Sequence, residues 1–436
     1  MAPLTATASR DFDLIVIGGG IIGCAAALYA AQQGMTCLLV ERDMPGSAQS
    51  GRNLGFVRQQ SRDFPELALM IGAVRLWEGA EAALGRSVGW RQGGNLSLAF
   101  TEEEMETRRI WQTRGVEEFG LDTRILSRVQ THDLLPHLST DIGILGAMYT
   151  PSDGQAEPPR ATRAFFEAGL DAGVTASLGG AVTRIETSGG QVSGVRVGER
   201  LYRTRTVVCA AGTGSAALLR AVGLTLPQER IRATVARTLP RTDLRLDPCL
   251  SGLQTGIRQD VSGAFVISVA GGEYDLRPDS WRNMRWYAKT RKENPEAVRI
   301  NYLAPLQRFL GRKVAPPLTD IPPTREYVPT DATRAQQALD DFRRILPAAS
   351  DLVVETCWAG IIDTLPDVLP ALGQIEGVAG LLVATGFSGH GFGPGPMAGK
   401  VLAELAAGRD APVDISELSP MRFRGGPHGR SPVLSR

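Results

Sequence analysis

The sequence predicts an α/β protein in which a Rossmann-like dinucleotide-binding domain is interleaved with an α+β domain built on an antiparallel sheet. Three observations predict this fold. Residues 11–42 follow the pattern strand, glycine turn, helix and strand, and residues 381–408 repeat its strand, turn and helix. Residues 227–350 between them begin with short strand-like segments. We therefore expect the second domain to be inserted into the first.

The first βαβ unit carries the predicted dinucleotide site. Gly18, Gly20 and Gly23 have GxGxxG spacing, which suits a tight turn, close approach to a pyrophosphate and close packing of helix on strand. The helix that follows directs free amides and a positive dipole at the phosphates. Glu41 ends the second strand, where an acid accepts hydrogen bonds from both ribose hydroxyls. The predicted set is Gly18, Gly20, Ile21, Ile22, Gly23, Glu41 and Arg42.

Composition narrows the possible partners. The 436 residues carry a net charge of +1, which gives no reason to expect nucleic acid or an anionic membrane as a partner. Five scattered cysteines and four dispersed histidines predict neither a disulfide framework nor a metal site. The sequence shows no secretory signal and no apolar run of the roughly 20 residues that span a bilayer. We therefore expect a cytoplasmic protein.

Apolar spacing and turn residues predict the elements between the two glycine-rich ends. Helices are expected at residues 66–84, 101–120, 160–173, 280–291 and 331–346. Strands are expected at residues 89–100, 143–151 and repeatedly through 179–209. Gly93 and Gly94 are placed like a hairpin turn. Residues 207–219 repeat the strand, small-residue turn and helix, which indicates a return to the nucleotide-binding sheet; an unrelated βα step is the alternative.

These patterns divide the chain into two discontinuous domains and two tails. The dinucleotide-binding domain is predicted to comprise residues 11–95, 150–226 and 352–410, and the second domain residues 96–149 and 227–351. Residues 1–10 and 411–436 are expected to be tails.

Three stretches carry a resemblance to a known family. They are GSAQSGRNLGFVRQQ from Gly46, VVCAAGTGSAALL from Val207 and LLVATGFSGHGFGPGPMAG from Leu381. On these motifs the chain resembles the D-amino acid oxidase-like FAD-dependent oxidoreductases, and within them glycine oxidase, sarcosine oxidase and related amine or opine dehydrogenases. The resemblance covers roughly residues 11–408. It implies that the dinucleotide is FAD and that the second domain binds the substrate.

The resemblance also implies which further residues hold FAD. The loop with Arg52 and Asn53 lies near the flavin, and the backbone around Gly212 approaches the cofactor. The turn from Gly386 to Phe392 brings backbone amides and a helix N-terminus to the isoalloxazine, where they stabilise the negative charge of the reduced ring. The implied set is Ser50, Gly51, Arg52, Asn53, Gly55, Ala211, Gly212, Gly386, Ser388, Gly389, His390, Gly391 and Phe392.

Three residues are candidates for contact with the substrate. Arg58 matches the arginine that clamps the substrate carboxylate in monomeric sarcosine oxidase, and a guanidinium binds a carboxylate in a bidentate fork. A solvated or structural arginine is the alternative. His390 belongs to the same predicted catalytic set, with a turn histidine whose ring lies in solvent as the alternative. Asp363 is a candidate partner for a cationic substrate group, with a plain loop aspartate as the alternative.

Three departures from the family pattern modify these expectations. Gly393 stands where monomeric sarcosine oxidase has a lysine that also holds the carboxylate. Ile362 and Asp363 stand where the glycine oxidase branch has arginine and proline. Gly360 falls where a flavin-linking cysteine would be, and Cys357 is three residues early. We therefore expect non-covalent FAD and a substrate pocket that is not that of either oxidase.

The expected reaction is oxidation of the carbon–nitrogen bond of an amino acid or N-substituted amino acid. Hydride transfer to flavin would be followed by hydrolysis of the imine, and no catalytic base is assigned. The missing lysine favours an electron acceptor other than oxygen, such as a quinone or a partner subunit. Two alternatives remain open: a FAD-dependent 2-hydroxy acid dehydrogenase, which a catalytic histidine near the flavin would favour, and the flavin-carrying subunit of a multi-subunit dehydrogenase.

Overall fold

The chain is built mainly on two sheets, seen in a computed structural model that describes residues 11–277, 280–295, 297–310 and 328–426. The strands are β1 (Asp11–Phe12), β2 (Leu14–Ile17), β3 (Cys37–Glu41), β4 (Phe56–Val57), β5 (Asn95–Ala99), β6 (Arg124–Ser127), β7 (Gly146–Thr150), β8 (Gly154–Gln155), β9 (Thr175–Leu178), β10 (Val182–Ser188), β11 (Gln191–Val197), β12 (Arg200–Thr204), β13 (Val207–Cys209), β14 (Glu229–Pro240), β15 (Cys249–Gly252), β16 (Thr255–Gln259), β17 (Ala264–Val269), β18 (Gly272–Asp275), β19 (Val298–Asn301), β20 (Val354–Thr364), β21 (Ala371–Gln374) and β22 (Leu381–Thr385).

The helices cover the faces of these sheets. They are α1 (Ile21–Gln32), α2 (Gln49–Arg52), α3 (Phe64–Glu78), α4 (Ala80–Leu84), α5 (Glu102–Phe119), α6 (Arg128–Leu134), α7 (Pro158–Asp171), α8 (Ser215–Arg220), α9 (Ser280–Glu293), α10 (Ala304–Phe309), α11 (Ala332–Ile345) and α12 (Gly395–Ala406). Among the described residues, no helix combines the length and apolar composition that crossing a membrane requires.

The first sheet has the order β21-β22-β13-β2-β3-β9, and its strands are parallel except for β21. The central strands β2, β13 and β22 are short apolar runs buried along their whole length, as expected for a parallel sheet with helices on both faces. Because β13 pairs with β2, the predicted return of residues 207–219 to this sheet is confirmed. The mixed α/β fold is likewise as predicted.

The second sheet is larger and mostly antiparallel. Its order is β19-β18-β14-β17-β16-β15-β5-β7-β6, with β20 paired along β14. Helix α11 packs on it through Phe342, whose ring lies 4.8 Å from that of Phe265. The pairing of β20 differs from the predicted boundary, which assigned residues 352–364 to the dinucleotide-binding domain. This strand belongs to the second sheet, and the side chain of Asp363 near its end reaches the end of β22 in the first.

Two local expectations differ from the structure. Gly93 and Gly94 do not form a hairpin: the strand starts only at Asn95, and β5 pairs with β7 and β15. Gly93 is a place of close approach, because a Cβ there would lie 1.9 Å from the Asp247 carbonyl oxygen. The segment expected to be a C-terminal tail packs on the core as far as it is described, with Leu418 fully buried. Residues 1–10 and 427–436 lie outside the described residues.

Arg422 fixes this C-terminal segment, and its removal should destabilise the protein. Its guanidinium donates to both carboxylate oxygens of Asp367, at 2.7 and 3.1 Å. We expect Arg422→Ala to lower the free energy of unfolding in urea by about 1.5 to 3 kcal/mol, since a charge-assisted contact is lost.

Arg424→Ala is the matched control. Arg424 pairs with Glu376, but the two side chains are 66% and 72% exposed. The control should therefore stay within about 0.5 kcal/mol of wild type. Equal effects of the two variants would show that the Arg422 contact does not hold the segment.

Candidate functional site

The turn between β2 and α1 is closely packed and requires its glycines. Gly18 has φ +107°, and a Cβ there would lie 2.3 Å from the Ala210 carbonyl oxygen at the end of β13. A Cβ on Gly23 would lie 1.9 Å from the carbonyl oxygen of Gly18, so α1 packs directly on the turn. The glycine spacing read from the sequence thus corresponds to real steric limits.

The start of α1 presents unpaired donors. The amides of Gly20, Ile22 and Gly23 make no hydrogen bond within the described part of the chain. The amide of Ile21 donates to Ser50 Oγ at 3.0 Å, which places the second predicted loop against the same helix end. Free amides at a helix N-terminus bind phosphate groups, so the residues present fit the pyrophosphate of a dinucleotide.

Glu41 and Arg42 lie beside this turn at the end of β3. The Glu41 carboxylate accepts from the amide of Gly19 at 2.6 Å and from that of Asp43 at 2.8 Å. A cleft of about 370 Å³ opens next to them and continues toward β20. It is lined by Arg42, Asp43, Ser47, Ala48, Gln49, Arg52, Thr213, Val328 and Ile361.

The side chains of Arg52 and Asn53 fix the loop that borders the cleft. Arg52 donates to the carbonyl oxygens of Ser47 at 2.9 Å and of Ala359 at 3.1 Å, which ties the loop to β20. Asn53 donates to the Ser50 carbonyl at 2.9 Å and accepts from the Gly55 amide at 2.8 Å. These bonds give both side chains a structural role beside the predicted flavin position.

Asp363 is a buried junction and does not reach a substrate. It is 2% exposed, and its Oδ2 accepts from Gln228 at 3.0 Å, Thr385 at 2.9 Å and the Gly386 amide at 2.7 Å. Its backbone carbonyl accepts from the Ser388 amide at 2.9 Å. The structure contradicts the expected contact with a cationic substrate group and also the alternative of a plain loop aspartate, because Asp363 lies on β20 and all its donors are protein groups.

Arg58 has no protein partner in the described residues. The side chain is half-buried, and its guanidinium makes no hydrogen bond or ion pair there. Burial lowers the pKa of Arg58 to about 10, with a further lowering from Arg62 that Asp153 opposes. Even so, the group stays charged at neutral pH. A half-buried guanidinium that makes no hydrogen bond or ion pair with the described residues is able to bind an anionic ligand.

Asp153 fixes the backbone that follows Arg58. Its carboxylate accepts from the amides of Gln59 at 2.7 Å and Gln60 at 3.1 Å. Burial raises the pKa of Asp153 to about 6, while these hydrogen bonds and Arg58 oppose the rise. Neither Asp153 nor the role of its carboxylate was found from the sequence, where PSDG reads only as a turn.

His390 lies inside the protein, contrary to the alternative of a solvent-exposed ring. Its Nε2 lies 3.0 Å from Glu66 Oε2, and the two side chains are 16% and 4% exposed. The distance is that of an ion pair, although the angles do not meet those of a hydrogen bond.

Glu66 was not predicted, yet the sequence carried a signal. It lies on the apolar stripe of α3 with Met70, Ala73 and Trp77, so an acid was placed on a buried face.

The two charged groups of this pair respond differently to burial. Burial lowers the pKa of His390, and Arg62 and Arg58 lower it further while Glu66 opposes them. Burial raises the pKa of Glu66, but His390 and the two arginines outweigh it and the net shift is downward. Both net shifts are downward, which favours the ionised form of Glu66 and the unprotonated form of His390.

The chain matches known proteins along most of its length. A profile of the FAD dependent oxidoreductase family covers residues 13–405. Mitochondrial dimethylglycine dehydrogenase of Rattus norvegicus is 23% identical over 420 residues, which is 94% of this chain and 45% of that protein. N-methyl-L-tryptophan oxidase of Yersinia pestis (strain Pestoides F) is 25% identical over 427 residues, covering 95% and 100%. The chain thus spans less than half the length of the dimethylglycine dehydrogenases it matches.

The fold also matches solved structures. L-amino acid deaminase from Proteus vulgaris superposes with a TM-score of 0.86 at 20% identity, over 97% of this chain and 100% of that one. At this identity the match concerns the fold.

Gly23→Ala tests whether the packing of α1 on its turn supports FAD binding. The added methyl group must displace the Gly18 carbonyl, and overpacking of this kind costs about 1 to 3 kcal/mol. We expect FAD affinity to fall roughly five- to a hundredfold, measured as the ratio of flavin to protein absorbance and by titration with FAD.

Gly79→Ala is the control, because its Cβ would lie 4.0 Å from the nearest atom outside its chain neighbours. Wild-type affinity in Gly23→Ala would contradict the steric role of this glycine.

Proposed function

Because the chain belongs to the FAD dependent oxidoreductase family, we propose that it oxidises the carbon–nitrogen bond of an amino acid or N-substituted amino acid. Bound FAD would supply the hydride acceptor. One observation carries the choice of substrate class: Arg58 is a half-buried cation that makes no hydrogen bond or ion pair with the described residues, and its charge acts on His390. A substrate carboxylate would complete its environment.

The relatives support this substrate class. The names dimethylglycine dehydrogenase, N-methyl-L-tryptophan oxidase and L-amino acid deaminase all denote proteins that act on an amino acid or an N-methylated one. Each such substrate combines a carboxylate with an amine on the neighbouring carbon. The carboxylate is the part that an arginine fork recognises.

The chain's own residues would bind and orient the substrate. Arg58 would hold the carboxylate in two parallel hydrogen bonds, so that the α carbon faces the flavin. Asp153 fixes the backbone after Arg58, and Arg62 donates to the Arg58 carbonyl at 3.2 Å, which limits movement of the clamp. Met70 fills the space beside Gly393 and makes that side of the site apolar.

A 2-hydroxy acid dehydrogenase is the second candidate, and His390 is the observation that favours it. A histidine near the flavin can take the proton of a hydroxyl as the neighbouring carbon–hydrogen bond breaks. The same arginine clamp would serve a 2-hydroxy acid. For either candidate, we propose that the electron acceptor is a quinone or a partner subunit and not oxygen. The reason is that Gly393 stands where monomeric sarcosine oxidase has a lysine.

Anaerobic mixing decides between the two candidates. The purified protein is mixed with N-alkyl amino acids, D- and L-amino acids, opines and 2-hydroxy acids, and the bleaching of flavin absorbance is followed. Reduction by amines supports the proposal, whereas reduction by hydroxy acids alone overturns it. Fast reoxidation by air with stoichiometric peroxide would contradict the proposed acceptor.

We also expect the flavin to be bound without a covalent link. Gly360 occupies the place of a linking cysteine, and Cys357 is half-buried on β20 three residues away. Acid precipitation should leave all FAD in the supernatant. Flavin that remains with the pellet would contradict this expectation.

Arg58→Ala should retain FAD and fold but lose turnover. The loss of one charge-assisted contact is worth about 1.5 to 3 kcal/mol, so kcat/KM should fall roughly ten- to a hundredfold or more. Arg58→Lys should recover little, because an ammonium group cannot form the planar fork. Steady-state kinetics with the substrate found by the panel would measure both.

Arg75→Ala on the exposed face of α3 is the control for loss of an arginine, and it should match wild type. An amine that lacks the carboxylate should be an equally poor substrate for wild type and Arg58→Ala. If Arg58→Ala matches wild type on the native substrate, the carboxylate is held elsewhere.

A further inference from the structure

The structure gives His390 two unlike ring nitrogens. Nε2 is fully buried and lies 3.0 Å from Glu66 Oε2. Nδ1 makes no hydrogen bond with the described residues, and the His390 side chain is 16% exposed. Nε2 thus lies against a carboxylate, whereas Nδ1 is available for a hydrogen bond to a ligand.

The carboxylate decides where the imidazole proton resides. An ionised Glu66 only accepts hydrogen bonds, so the 3.0 Å approach of its Oε2 favours the tautomer of a neutral His390 that is protonated at Nε2, and a small rotation of the ring would complete the hydrogen bond. Nδ1 then carries a lone pair. A histidine with one nitrogen held by a carboxylate and the other free is the arrangement of a general base, since the carboxylate orients the ring and stabilises the imidazolium that forms.

We propose that His390 is the general base that deprotonates the substrate ammonium group, and that Glu66 is the residue that positions it. This rests on the proposed function. The N–H bond of the substrate breaks, its electron pair stays on nitrogen as the lone pair of a neutral amine, and the proton forms an Nδ1–H bond on His390. The neutral amine is the form from which a hydride can leave the neighbouring carbon.

The surrounding charges are compatible with this role. Glu66 from α3 faces the imidazole, and Arg62 and Arg58 act on it from the loop before α3. Burial and the two arginines lower the pKa of His390 while Glu66 opposes them, and the net shift favours the unprotonated ring that a base requires. Arg58 would hold the substrate carboxylate at the same time. Arg58 and His390 together therefore suit an amino acid zwitterion. The guanidinium would bind the carboxylate, and the imidazole would accept a proton from the ammonium group.

The first experiment tests the tautomer in the purified holoenzyme without substrate. The chain has four histidines, so ¹⁵N-labelled histidine gives few signals, and His390→Asn assigns the one of interest. We expect a protonated Nε2 and an unprotonated Nδ1 at pH 7. A His390 protonated at Nδ1 would overturn the proposal, since that nitrogen could not accept a proton.

The second experiment measures the limiting rate of anaerobic flavin reduction against pH. We expect His390→Asn to be about a hundredfold slower than wild type at pH 7. The deficit should shrink above the amine pKa of about 8 to 10, where the substrate has already lost its proton. Wild-type reduction should decline on the acid side as His390 becomes protonated.

Glu66→Gln separates positioning from folding. The amide can still accept the Nε2 proton, but it cannot stabilise an imidazolium, so the acid-side decline should move to lower pH and the rate should fall less than in His390→Asn. Controls are Glu78→Gln on the exposed face of α3 and His137→Asn at an exposed position, which should both match wild type. Each variant is used only if it retains FAD.

The outcomes separate the two proposals. If no amino acid or amine reduces the wild-type flavin, the proposed function fails whatever the variants do. If wild type is reduced and the ratio of its rate to that of His390→Asn stays constant from pH 6 to 10, His390 is not the base. A pH profile of Glu66→Gln identical to wild type would remove the positioning role of Glu66.

Discussion

The carboxylate of Asp363 joins the two sheets at the candidate site. It stands on β20 of the large sheet and accepts from Thr385 and Gly386 at the end of β22, while Gln228 donates to it from just before β14. A buried carboxylate must find such donors, and removing it would leave the Gly386 amide without its acceptor, whereas Gln228 and Thr385 also donate to the Gly212 carbonyl. The turn that carries His390 begins at Gly386, so the position of this turn relative to the large sheet depends on Asp363.

The buried charges near that turn are balanced unevenly. Asp153 accepts from two backbone amides, and Glu66 lies 3.0 Å from His390 Nε2 and is electrostatically stabilised in its ionised form by Arg62. Arg58 is left without a hydrogen bond or ion pair among the described residues. A charge in a low-dielectric interior is costly unless it is paired. Of the charged groups named here, the Arg58 guanidinium is the one that lacks such a pairing among the described residues. The Arg58 guanidinium is therefore able to pair with an anion, and it lies at the position where the family resemblance predicts contact with a substrate carboxylate.

Local geometry was predictable from the sequence, whereas contacts between distant segments were not. Gly18 and Gly23 could be placed because their steric limits arise within one βαβ unit. Asp363 was misjudged, since its donors come from β22 and from Gln228, which is 135 residues away. The same reason explains why β20 was assigned to the wrong side of the domain boundary. Glu66 was missed although its place on an apolar helix stripe marked it as buried.

The Met70 contact at Gly393 and the His390–Glu66 pair both lie where one face of α3 packs on the turn after β22. Met70 and Glu66 are four residues apart on α3 and face the same side of it. A Cβ on Gly393 would lie 3.3 Å from Met70 Sδ, and Glu66 lies against His390, three residues earlier in the same turn. A lysine at Gly393 would therefore have to displace Met70, and moving α3 away to make room would also withdraw Glu66. The apolar contact and the acid are two consequences of how one helix face packs on one turn, and the proposed substrate clamp, Arg58, comes instead from the loop before α3.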